Sequence, residues 1–218
     1  MSVMKPFISF SARFACGVLA LLLSAPAHAD TASASSGKHL ETAVLAGGCF
    51  WGLEAVFERL RGVTGVVSGF SGGSALTAHY DIVSTGTTGH AESVQITYDP
   101  AQVSYATLLK VYFTVATDPT ELDRQGPDEG TQYRSEIFTT SDAQARIAHA
   151  TIADLTAAHA YAAPIVTKIE PLRAFYPAEA YHQHFYDRNP TYPYIVYNDK
   201  PKVEALNAKF PRLVKADN

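Results

Sequence analysis

Cysteine is scarce: the 218 residues hold two, and Cys16 lies in a stretch with the features of a removable export signal. Cleavage leaves Cys49 alone, which excludes an intramolecular disulfide, and one thiol makes a poor metal site without other ligands. Long apolar runs are also missing; the main one, residues 14–23, is too short for a comfortable membrane span. There is no basic stripe and no basic-aromatic interleaving, which argues against a nucleic-acid partner. Nor is there a Gly-rich dinucleotide or phosphate motif, an internal repeat or a low-complexity tract.

What is present starts with the leader. Lys5 and Arg13 are the only charges in residues 1–29, and Ala27-His28-Ala29 supplies an A-x-A cleavage pattern before Asp30. Residues 1–29 therefore read as a cleavable secretory signal, with an uncleaved anchor as the other reading. Cys16 precedes most of the apolar run, which argues against a lipoprotein. Residues 30–38 read as a small polar tether and 39–218 as one domain. Loss of Lys5 and Arg13 leaves 15 basic against 21 acidic residues, moving the formal net charge from −4 to −6. The expected location is exported and periplasmic, without stable membrane association after cleavage.

Strand and helix signals interleave along the domain. Residues 43–46 predict a short buried strand and Gly47-Gly48 a sharp turn. A helix follows, with Phe50, Leu53, Phe57 and Leu60 on one face. Residues 91–98 alternate, residues 104–116 predict a helix, and 133–139 and 164–169 predict strands. Ser141 with Gln144 predicts a capping box opening a helix to about residue 158. Pro177 is expected to open a short aromatic helix that Asn189-Pro190 ends, and Pro201 to begin the last helix. The expected fold class is α+β: a mixed or mostly antiparallel sheet packed by helices in a two-layer sandwich with a ferredoxin-like core.

Several side chains stand out as chemistry. Cys49 falls at a predicted helix N-terminus, where backbone N–H groups and the dipole favour a thiolate. Glu92 shares the strand parity of Val94, Ile96 and Tyr98, so it turns toward the buried side, where desolvation raises a carboxyl pKa. That is the profile of a general acid, although a strand-end glutamate can also reach solvent. Tyr80 and Tyr133 read either as packed aromatics or as hydrogen-bond donors. Phe50 and Trp51, the only tryptophan, follow the thiol and suit a small apolar substrate group, with a core role as the default for either ring.

From Val44 to Pro211 the chain resembles the A class of peptide methionine sulfoxide reductases. The resemblance rests on Gly48-Cys49-Phe50-Trp51-Gly52, Thr88-Gly89-His90-Ala91-Glu92 and Arg124-Gln125-Gly126-Pro127-Asp128-Glu129-Gly130-Thr131-Gln132-Tyr133-Arg134-Ser135. Tyr181-His182-Gln183, Asn189-Pro190 and Pro201-Lys202-Val203 add to it. It implies that Cys49 attacks the sulfur of the S epimer of a methionine sulfoxide and ends as a sulfenic acid. Glu92 would protonate the sulfoxide oxygen, with Tyr80 and Tyr133 donating to it. Phe50 and Trp51 would hold the methyl group, and Asp128 would organise the site. It implies no bound cofactor or metal, and as substrates oxidised methionine in exported proteins and free methionine sulfoxide. Phe70 and Thr117 depart from the family's usual tyrosine and histidine, and no resolving cysteine follows residue 196. An external thiol is therefore expected as reductant: a thioredoxin-like periplasmic protein, a glutathione-type thiol or a dithiol.

Two other classes fit some of the same residues. A cysteine hydrolase would pair Cys49 with a histidine such as His90, His182 or His184. A metal or ligand-binding module would use His79, His182 and His184, although residues two apart do not share a helix face.

Overall fold

The computed structural model describes residues 39–216; the predicted signal and tether, and residues 217–218, lie outside the described residues. In chain order the elements are β1 (Glu41–Gly47), α1 (Phe50–Glu58), β2 (Val63–Ser71), α2 (Tyr80–Val83), β3 (Ala91–Tyr98) and α3 (Tyr105–Val111). A small hairpin of β4 (Arg124–Gln125) and β5 (Asp128–Glu129) precedes β6 (Ser135–Thr139) and α4 (Asp142–Ala157). The chain ends through β7 (Lys168–Pro171), β8 (Phe175–Pro177), α5 (Phe185–Arg188) and α6 (Lys200–Lys209).

Six strands form one sheet in the order β7-β6-β1-β3-β2-β8. Only the β6–β7 pair is parallel, so the sheet is mixed and mostly antiparallel. Period-two alternation divides its faces. Ala43, Leu45, Val66, Phe70, Val94, Ile96 and Ile137 join the main core, together with the buried residues of α1, α3, α4 and α6. Val44, Ala46, Ala91 and Phe138 form a small cluster on the other face with Leu172 and Phe175. The α+β expectation holds, with the helices feeding one core. Phe50, Leu53, Phe57 and Leu60 are all fully buried, as their spacing predicts. Among the described residues no helix is long and apolar enough to cross a membrane.

Several boundaries differ from expectation for local reasons. The α-helical hydrogen bonding of α3 stops at Val111, and residues Tyr112–Ala116 widen into a π turn closed by Thr117 N–H to the Tyr112 carbonyl. Carbonyls in that turn find outside donors: Tyr161 Oη at 2.5 Å from Phe113 O and Lys209 Nζ at 3.2 Å from Thr114 O. Strand β6 begins at Ser135, because Thr131–Tyr133 form a 3-10 turn, and β7 begins later than proposed. The Ser141 hydroxyl accepts the Gln144 N–H, but the Gln144 side chain turns to Thr140 N and Thr42 O, so the box is not reciprocal. Pro177 does not open a helix; it ends edge strand β8, where a missing N–H costs no ladder bond. Pro201 lies in the first turn of α6, as expected.

Candidate active site

The thiol is placed by a strand, a turn and a helix start. Gly48 leaves β1 with φ +94°, and a Cβ there would sit 2.6 Å from Gln125 Cβ, so both backbone and space require glycine. Cys49 is the N-cap residue of α1 and is 8% exposed. The next N–H, that of Phe50, donates to Glu92 Oε2 at 3.1 Å. Helix start and carboxyl are thereby joined.

Glu92 is the second residue of β3, opposite Phe70 of β2, and is 2% exposed. The parity argument is correct: its side chain lies on the core face. Burial pushes the carboxyl up to about 8, against the Phe50 N–H; the Asp128 and Asp199 charges push the same way as burial. The folded environment works against the expected thiolate. Burial first, then the Glu92 and Asp199 carboxyls, push the Cys49 thiol well above its ordinary value, and the Trp51 N–H only partly offsets them. Both shifts favour the protonated forms, on sulfur and on Glu92.

Tyr80 is the first residue of the one-turn helix α2, and its backbone N–H donates to Glu179 Oε1 at 3.1 Å. Tyr133 ends the 3-10 turn ahead of β6. Burial and the nearby Glu92 charge push the Tyr80 phenol up to about 12 and raise that of Tyr133. Both remain O–H donors. Arg134 braces this corner: its guanidinium donates to the carbonyls of Gly89, His90 and Thr131 and pairs with buried Glu136 at 2.6 Å. Trp51 stacks on Phe185 with ring centroids 3.8 Å apart and donates from Nε1 to His182 Nδ1 at 3.2 Å. Phe50 lies against Phe70 and His182, with centroids 5.8 and 5.0 Å away.

Cys49, Phe50, Trp51, Tyr80, Glu92, Asp128 and Tyr133 all line one cavity of about 200 Å³. The fold therefore brings together every residue that the resemblance assigns to the site. Tyr192 and Tyr194 complete the wall, and neither was foreseen. Tyr194 Oη donates a short hydrogen bond to Asp128 Oδ2, and burial raises the Asp128 pKa. Asp199 was missed as well: it is fully buried, both carboxyl oxygens lack a hydrogen bond, and burial pushes it to about 7. The aromatic run Tyr192-Pro193-Tyr194 just beyond Asn189-Pro190 was the available signal. A second, more open cavity of about 430 Å³ shares Cys49, Asp128 and Tyr194 and continues past Thr117, Gln125 and Lys202.

The histidines take other posts. No histidine lines either cavity that touches Cys49, so the hydrolase pairing has no support. His90 bonds Gly73 N and Ser74 O, and His182 bonds Trp51. His79 lies beside Glu179 and His184 beside Glu58, so the three proposed ligands His79, His182 and His184 are dispersed. At the two departures, Phe70 is fully buried against Phe50 as the cross-strand partner of Glu92, and Thr117 packs against Gly47 at the second cavity.

Comparison with known proteins agrees with this geometry. Residues 41–213 match the family model described as peptide methionine sulfoxide reductase. A Mesorhizobium japonicum protein named peptide methionine sulfoxide reductase MsrA 2 is 59% identical over 79% of this chain and 89% of its own length. A Synechocystis protein of the same name is 51% identical over 82% and 83%. Among solved structures, methionine sulfoxide reductase A of Corynebacterium diphtheriae superposes with TM-score 0.61 at 35% identity, covering 71% of this chain and 77% of that one. Reduced Mxr1 from Saccharomyces cerevisiae gives TM-score 0.61 at 33% identity, covering 70% and 87%. With its thiol, buried carboxyl and aromatic cavity in one place, the chain belongs to the peptide methionine sulfoxide reductase family, in its A class.

Proposed function

We propose that this reductase acts on the S epimer of methionine sulfoxide, with Cys49 as nucleophile and Glu92 as general acid. The observation that carries the reading is the one cavity lined by Cys49, Glu92, Tyr80 and Tyr133, where burial favours the protonated thiol and carboxyl. Sγ attacks the sulfoxide sulfur and forms an S–S bond. The S–O bond breaks as its oxygen takes one proton from the thiol and one from Glu92 and leaves as water. Tyr80 and Tyr133 hydrogen-bond that oxygen as negative charge builds on it, a contribution of roughly 3 kcal/mol per well-aimed donor. The ionised Glu92 then faces a sulfonium cation. Water attacks Sγ and gives one proton back to Glu92, methionine departs, and Cys49 is left as a sulfenic acid.

Regeneration uses two external thiols. The first condenses with the sulfenic acid, giving a mixed disulfide and water; the second releases Cys49 and forms the reductant's disulfide. Cys49 is the free cysteine among the described residues, which supports an external donor such as a thioredoxin-like protein, a glutathione-type thiol or a dithiol. The methyl group sits against Phe50 and Trp51, and the asymmetry between that apolar wall and the Tyr80, Tyr133 and Glu92 side selects the epimer. Substrates on this reading are oxidised methionines of exported proteins and free methionine sulfoxide. Export itself rests on residues 1–29, and mass spectrometry of the secreted chain tests it through a new N-terminus at Asp30.

The deciding assay supplies resolved S and R epimers of a peptide methionine sulfoxide with excess dithiol, alongside the Cys49→Ser protein. Loss of the S epimer alone, abolished by the substitution, is expected. Reduction of R, or activity that survives Cys49→Ser, overturns the assignment.

A further inference from the structure

A second cluster of ligating groups lies on the flank of α1, outside both cavities that touch Cys49. Glu54 and Glu58 are four residues apart on that helix and so share a face. His184 meets them from the turn before α5, at a left-handed φ of +52° that is uncommon for a non-glycine residue. Its Nδ1 is 2.7 Å from Glu58 Oε1 and 3.9 Å from Glu54 Oε1, and one ligand atom from each residue falls within 4.8 Å of the others. Glu54 is 1% exposed; its Oε2 accepts the His184 N–H at 2.9 Å, whereas its Oε1 is buried without a hydrogen bond. The Ser68 hydroxyl approaches this carboxyl and holds its pKa down slightly, without closing a hydrogen bond of normal length. A buried carboxylate oxygen without a partner, facing an imidazole and a second carboxylate, is a costly arrangement that a cation relieves.

We propose that Glu54, Glu58 and His184 form a binding site for one divalent transition-metal ion of the Zn2+ type. Two carboxylates and an imidazole with water in the fourth position are a donor set suited to such ions, and tetrahedral ligation at about 2.0–2.2 Å needs only small side-chain adjustments from the present spacing. Glu58 also lines an open surface cavity of about 390 Å³, and the His184 ring is itself 59% exposed, so solvent reaches the cluster. A bound ion ties α1 to the turn that carries His182, and His182 in turn holds the Trp51 indole. The site is independent of the sulfoxide chemistry.

The test is a Co2+ titration of chelator-treated Cys49→Ser protein, in which the reactive thiol cannot serve as a ligand. One equivalent of Co2+ should bind with visible d–d absorption and be displaced by Zn2+. Adding Glu58→Gln or His184→Asn should weaken binding by roughly 10- to 100-fold or more, since even groups that merely support a ligand cost that much. Asparagine tolerates the left-handed backbone, and circular dichroism confirms folding of each variant. Zn2+ should raise the Tm of the parent more than that of either variant. Absence of Co2+ binding, or binding that either substitution leaves intact, overturns the proposal.

Discussion

Glu92 carries the sharpest expectation for a single residue. With its carboxyl near 8, its acid form falls away as pH rises through that value, so kcat should decline on the alkaline side. Glu92→Gln should lower kcat by about 10²–10⁴-fold and remove that decline, as a pH-rate profile would show. Survival of the same alkaline limb in the variant would assign it to another group. Strand parity with Val94 and Ile96 predicted the buried orientation of this carboxyl, whereas the roles of Glu92 and Cys49 came from the resemblance. The charge state of the thiol was not legible: the helix terminus was visible in sequence, while Glu92, Asp128 and Asp199 converge on it only after folding. Tyr194 and Asp199 escaped for the same reason, since both come from a late return of the chain past α5.

Among the elements, the turn into α1 and the corner braced by Arg134 hold the site's geometry. Gly48→Ala forces a side chain into positive φ and onto Gln125, which should cost about 1–3 kcal/mol and misplace Cys49. Urea denaturation together with activity would register both losses; full activity at lowered stability would separate the turn from the chemistry. Arg134→Ala leaves Glu136 buried without its partner and frees three carbonyls in the loops that set Glu92 and Tyr133. A destabilisation of about 3–5 kcal/mol is expected, read by the same denaturation. Helix and strand periods placed α1 and β3 from sequence, and the Ser141 cap placed α4. They could not show the π turn after Val111, because apolar spacing continues smoothly while outside donors from Tyr161 and Lys209 engage its carbonyls.

For the molecule as a whole, buried carboxyls set how stability follows pH. Glu54, Glu92 and Asp199 are pushed to about 7, about 8 and about 7, all above their ordinary values. The folded chain therefore holds protons that the unfolded chain releases, and stability is greatest below the ordinary carboxylate range for these groups. It falls as pH rises through 7 to 8, so Tm should be lower at about pH 9 than at about pH 6. Asp199→Asn should narrow that difference, as calorimetry at the two pH values would show; an unchanged difference would mean Asp199 does not contribute. The one tryptophan of the chain sits in the cavity wall, stacked on Phe185 and bonded to His182. Its fluorescence is consequently a single-source optical signal from the reaction pocket: occupancy, oxidation of the neighbouring sulfur and release can each be followed in unlabelled protein, in real time.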